Sequence, residues 1–225
     1  MAIYNKESKL SDAVLDNPQL IPVINRLGVS LGIGDSTIGS ICAKAHIDSD
    51  FFLSVVNTFI DKDYFPVNAR GTFTLEKTID YLEKTSRFYK MVQLPNIERH
   101  FTSLMMRSGT DNNLGHLQTF FIEMRNQLSE CLTYETDVFF PSLKKGIVLA
   151  DMERVLSGHA EVEAKLHDLL YFFVVHLRGD YDRNLCMAVV SSVFSLERDY
   201  SQNNRIRSRI LFPIMEEMME DAIEN

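Results

Sequence analysis

Two short stretches of the chain carry side chains capable of chemistry at one common spacing. In "CLTYETDVFFP", residues 131–141, Cys131 and Glu135 lie four positions apart; in "NNRIRSRILFP", residues 203–213, Asn203 and Arg207 do the same. Each stretch closes on an aromatic-proline pair, Phe140-Pro141 and Phe212-Pro213. On a helix, residues i and i+4 share a face, so each pair offers two polar groups to the same neighbour. A thiol and a carboxylate arranged this way are metal-ligand chemistry, since facing helices of a bundle hold iron with carboxylates and histidines projecting inward. Asparagine and arginine point elsewhere, because a guanidinium is a permanent cation that repels a metal and pairs with a carboxylate instead.

The rest of the chain adds no catalytic set. His100, His116, His167 and His176 are scattered and form no HExxH or similar spacing, which assigns them surface or core roles. The segment "GIGDSTIG" has Gly32 and Gly34 but neither a preceding strand nor the third glycine of a dinucleotide fingerprint, and no nucleophile elbow or P-loop occurs. Cys42, Cys131 and Cys186 are odd in number and far apart, so they predict reduced thiols rather than a disulfide framework or a zinc knuckle. The expectation is a protein that is not an enzyme.

The elements that must position these residues are helical. The 225 residues are 45% hydrophobic and 24% charged, enough for one large domain or two small ones with a real core. Turn formers concentrate at the front, followed by the linker-like "DKDYFPVNARGTF", residues 61–73. Residues 1–65 read as a small domain of short helices: "DAVLDN" capped by Ser11, "QLIPVINRLG" ending at Gly28, "STIGSICAKA" starting at Ser36, and "DSDFFLSVVNTFI" capped near Asp48. Residues 72–225 carry four long segments of helical spacing, 74–107 with an interior kink at Pro95, 113–141, 151–178 and 183–220. Joined by short loops, they predict an all-α fold in which an antiparallel four-helix bundle follows the small helical domain.

Within the front domain, "TIGSICAKAHIDSDFFLSVVNTFI" has the outline of a helix-turn-helix. Its second helix opens with Asp48 and Asp50 where a DNA reader needs basic or neutral polar groups, and residues 1–65 hold five Lys or Arg against eight Asp or Glu. With a net charge of −8, nucleic acid and anionic membrane are not expected partners. No apolar run reaches the roughly 18 residues of a membrane span and the start lacks a leader's apolar core, so a cytoplasmic protein is expected. "LLYFFVVHL", residues 169–177, is apolar on more than one face, which predicts deep burial or a second contact. The Met-rich, acidic "FPIMEEMMEDAIEN" reads as the amphipathic end of the last helix.

The helix pattern, the two Phe-Pro pairs, the "QLP" before the Pro95 kink and the small helical domain in front resemble the iron-sulfur cluster repair proteins, also described as regulators of cell morphogenesis and nitric-oxide signalling. Their C-terminal part is hemerythrin-like and holds a diiron centre; the resemblance covers nearly the whole chain. It implies that the His-x3-Glu-x4-Phe-Pro motif of the second and fourth helices falls on Cys131 and Glu135 and on Asn203 and Arg207. The third-helix histidine matches His159 in "SGHAEVE", the first-helix histidine falls on Arg87, and the remaining one falls near Ser108. The Cys-Cys turn of the front domain falls on "GIGD", where Gly32 and Ile33 replace both cysteines.

Of the seven implied ligand positions only Glu135 and His159 keep their residue, and two ligands do not hold a diiron centre. The resemblance therefore implies a degenerate member without the cofactor: a non-enzymatic regulatory or protein-binding relative acting in stress responses, with an unidentified protein partner of the regulator class and an oligomer compatible with the sequence. Arg207, with Arg87, would compensate Glu135 as a buried or half-buried ion pair in place of iron. The alternative is iron-centre repair, or sensing of oxygen or nitric oxide, through a reduced metal site built from Cys131, Glu135 and His159.

Overall fold

The computed structural model describes residues 4–66, 75–145 and 152–224. Among them every regular element is helical, and the only extended pairings are single bridges at Lys9 with Thr37 and at Asn112 with Gly179. The all-α expectation holds. Residues 67–73 of the expected linker, and the expected helix starts at Thr74 and Asp151, lie outside the described residues.

Four short helices lead: α1 (Leu10–Asp16), α2 (Leu20–Arg26), α3 (Ile38–Ala45) and α4 (Ser49–Ile60). Their limits follow local chemistry. Thr37, rather than the expected Ser36, caps α3 by accepting the Ser40 N–H, and α1 starts at Leu10, ahead of the expected Ser11 cap. Asp48 caps α4 by accepting the N–H groups of Asp50 and Phe51, two of the donors a helix start leaves unpaired. Between α3 and α4, His46 turns left-handed at φ 55°, and the Ile47 N–H reaches back to the Cys42 carbonyl. That 6→1 bond ends α3 as a Schellman turn does.

The long segments continue through their prolines instead of ending at them. Tyr89–Gln93, Glu135–Phe139 and Arg207–Leu211 are π-helical turns, and each is followed at once by a residue-proline pair, Leu94-Pro95, Phe140-Pro141 and Phe212-Pro213. Proline has no N–H for the i−4 carbonyl and its ring clashes with that carbonyl in a regular helix. Widening the preceding turn relieves the clash without breaking the rod, so helix resumes over Leu94–Arg107, Phe140–Lys144 and Phe212–Glu224. The Phe-Pro pairs are therefore interior turns, a correction to the expected helix end at Pro141. A fourth π turn, Phe172–His176, follows Met152–Tyr171 with no proline to account for it.

The chain divides into two compact units, Ser86–Ser201 and the described parts of Met1–Thr85 with Gln202–Asn225. In the unit that holds the four short helices, Asn57 is buried and exchanges two hydrogen bonds with the Tyr4 backbone, at 3.0 and 2.9 Å. Arg205 donates to the Phe59 carbonyl at 2.8 Å and Arg209 to that of Tyr64 at 2.6 Å, which ties the C-terminal helix to the end of α4.

Inside residues 86–201, successive segments run antiparallel. Lys90 bonds Thr133 while Glu98 pairs with Arg125; Gln127 bonds Glu161 while Phe120 meets Phe172; Gln93 bonds Ser195 while His100 contacts Ser192. One apolar core joins them, including Leu94, Phe101, Phe121, Leu128, Leu166 and Val193. One end is closed by the loop at 108–113 against 177–182, where a Cβ on Gly179, at φ +86°, would lie 1.8 Å from the Asp111 carbonyl oxygen. Only glycine fits that approach.

Candidate functional site

Charged and polar side chains meet inside the core of residues 86–201. Glu135 opens the π turn after the Leu114–Tyr134 helix and is 1% exposed; His159, mid-way along Met152–Tyr171, is 3% exposed. The His159 Nε2 lies 2.9 Å from Glu135 Oε1, and its Nδ1 shares a short hydrogen bond with the hydroxyl of Tyr200. Tyr200 is fully buried, and the Tyr89 ring packs beside it at 5.9 Å. The Nε2 stands at ion-pair distance from the carboxylate, and the phenol shares the hydrogen bond at Nδ1. His159 thus links a carboxylate to a phenol, with both ring nitrogens engaged.

The spacing singles out Glu135 and the resemblance singles out His159, but neither finds Tyr200. The signal was present, since Val189, Val193, Leu196 and Tyr200 recur at helical spacing and are all buried. A tyrosine on such a stripe needs a partner for its hydroxyl.

A cavity of about 270 Å³ opens beside this centre, walled by Cys131, Tyr134, Glu135, Arg154, Gly158 and His159. Cys131 is half-buried, and a Cβ on Gly158 would stand 3.1 Å from its sulfur, so the glycine makes the space the thiol occupies. Arg154 lies over the Tyr134 ring at 4.0 Å. Of the other two thiols, burial pushes Cys42 up to about 11 and raises Cys186 as well, which keeps both protonated and inert.

The remaining expected positions do not join this centre in the same way. Arg87 is exposed, because the buried stripe of its helix runs through Ser86 and Tyr89 and leaves position 87 outside. Ser108 lies just beyond Leu94–Arg107, where its hydroxyl accepts the Asp182 N–H at 3.2 Å, a loop-closing role. Asn203 and Arg207 belong to the other compact unit. There Asn203 is fully buried and accepts the Tyr81 hydroxyl at 3.0 Å, and Arg207, 1% exposed, donates to Asn204 Oδ1 at 3.3 Å.

For a metal the donor set is poor. Among the described residues no group of three or more His, Cys, Asp or Glu side chains is placed to hold an ion. Glu135 and His159, the two residues kept at the implied ligand positions, are turned toward each other. A diiron centre does not fit the residues present. No helix among the described residues is long and apolar enough to cross a membrane. Compared with known protein families and with curated proteins, the sequence matches no family model and no curated relative.

Proposed function

We propose that this chain is a metal-free regulatory or protein-binding relative of the iron-sulfur cluster repair proteins, built as a hemerythrin-like four-helix bundle behind a small helical domain. The observation that carries the reading is the Glu135–His159–Tyr200 contact: a carboxylate and an imidazole at implied ligand positions bond each other and a tyrosine rather than converging on an ion. Asn203 and Arg207 support it, since neither is a carboxylate or imidazole and each has a hydrogen-bond partner in the protein. The antiparallel contacts within residues 86–201 are those an up-and-down bundle requires. The proposed partner is a protein of the regulator class, met in the cytoplasm.

A second reading, repair or oxygen and nitric-oxide sensing through a reduced metal site, draws on one observation: Cys131, Glu135 and His159 line the same cavity. Thermal unfolding separates the two. The metal-free reading expects the same midpoint in a strong chelator, in buffer and with added ferrous or zinc ion. A rise in midpoint on adding metal that Cys131→Ser removes would favour the second reading, because a ligand that binds only the folded state stabilises it.

A further inference from the structure

We propose that the outer face shared by the end of the Met152–Tyr171 helix, the π turn after it and the start of the Arg183–Ile206 helix is a dimer interface, and that its occupant is the same face of a second copy of this chain. Large apolar side chains stand out of it: Val174 is 70% exposed, Met187 67%, Val175 52%, Tyr171 50% and Phe194 49%. All belong to the compact unit Ser86–Ser201. Exposed apolar groups gathered on one face mark a contact surface.

Helix geometry gathers them. The two helices run antiparallel on either side of the connection at 177–182, and His167 Nδ1 lies 3.7 Å from Glu197 Oε1 across the groove between them. Counting from that contact toward the connection sets Tyr171 level with Phe194 and Val174 level with Val190, with Met187 about one turn further on. Val189, Val193 and Leu196 face the core, so Met187, Val190, Phe194 and Glu197 share the flank that meets the first helix. The π turn at Phe172–His176, which no proline explains, widens the rod where Val174 and Val175 both come out to solvent. Such turns recur where a helix has a functional contact to make.

Charge selects a second copy as the occupant. Asp168 on the first helix and Arg198 on the second stand exposed at the border of the apolar face, and among the described residues neither meets an opposite charge in its own chain. A two-fold axis parallel to the helices lays the first helix of one protomer against the second helix of its partner, antiparallel and at the same height, as an isologous contact. Because His167 and Glu197 fix that height, Asp168 falls opposite Arg198 of the partner subunit, and the symmetry makes the pair twice. Tyr171 and Val174 then cover Phe194 of the partner subunit and Met187 of the partner subunit. At the connection end Arg178, Asp180 and Arg183 are exposed and mix both signs, so the copies do not meet there with charge of one sign alone. Charge pairs at the rim set register and partner choice, while the apolar centre supplies the affinity.

The test is sedimentation velocity of the full chain from about 1 to 100 μM, where the expected result is a monomer–dimer equilibrium with Kd of about 10 μM or below. Val174→Glu/Phe194→Glu should leave a monomer throughout, with circular dichroism and melting unchanged, because both side chains are exposed in the protomer. Leu15→Glu/Leu31→Glu adds the same charge at exposed apolar positions outside the face and should leave the dimer intact. Asp168→Arg alone, or Arg198→Asp alone, sets like charges opposite each other twice and should weaken the dimer about tenfold or more. Asp168→Arg/Arg198→Asp should restore it. A chain that stays monomeric at about 100 μM, a range that reaches any contact of micromolar strength, overturns the proposal, whatever other protein it binds. So does a dimer that survives Val174→Glu/Phe194→Glu, one that Leu15→Glu/Leu31→Glu disrupts equally, or a double charge exchange as weak as the single ones.

Discussion

Beside Cys131 a carboxylate and an imidazole are buried and engaged, Glu135 with His159 and His159 with Tyr200, whereas Lys77 meets Asp48 and Lys84 meets Asp80 through partly exposed side chains. The difference is one of solvent. A buried carboxylate cannot fall back on water, so its partner is part of the fold, and losing that partner strands a charge. An exposed lysine that loses its aspartate is simply hydrated. The first arrangement serves as architecture; the second adds little to it.

The largest effect should come from halving the buried pair. His159→Leu, which leaves the Glu135 carboxylate alone, should destabilise by about 3–5 kcal/mol in urea unfolding, and Glu135→Leu, which leaves an imidazole without its partner, by about 1–3 kcal/mol. Glu135→Leu/His159→Leu should be much milder, because no charge is then left alone. Equal costs for singles and double would break the contrast between the two regions.

Asp48 lies between the extremes, since its carboxylate caps α4 and also meets Lys77. Asp48→Ala should cost about 1 kcal/mol, the usual value of an N-cap. Burial alone would raise its pKa, but the bonds from Lys77, Phe51 and Asp50 outweigh that and hold it below the ordinary value. Because the folded value is the lower one, its contribution is complete above the unfolded pKa of about 4 and is lost as pH falls through the folded value. The wild-type chain should therefore lose this increment on acidification while Asp48→Ala does not. The smallest effect is expected of Lys84→Gln, within about 0.5 kcal/mol; a larger loss would make the exposed Lys84–Asp80 pair structural.

How much of this is legible in the sequence depends on whether local chemistry decides the outcome. The α4 cap at Asp48 and the positive-φ turn at Gly28 are local and can be read directly. The burial of Glu135 is what the resemblance implies, since its four-residue spacing from half-buried Cys131 fixes a shared face and not a core position. Arg87 cannot be read directly, because counting back from Pro95 gives a position without its facing, and facing is set by which stripe packs. Continuation through Pro95 and Pro213 is expected from the helical spacing, but continuation through Pro141 escapes a rule that treats proline as a stop, since the π turn before it absorbs the clash. Tyr200 is the instructive omission: it reads as one more apolar residue until the imidazole that needs it, 41 positions away, is in place.

The central claim is that residues at implied ligand positions bind protein groups instead of iron, and elemental analysis of protein purified under anaerobic conditions tests it most directly. The account predicts well under one iron per chain and no absorption from an oxo-bridged pair. Close to two irons per chain, lost together with that absorption in Glu135→Leu, would contradict it.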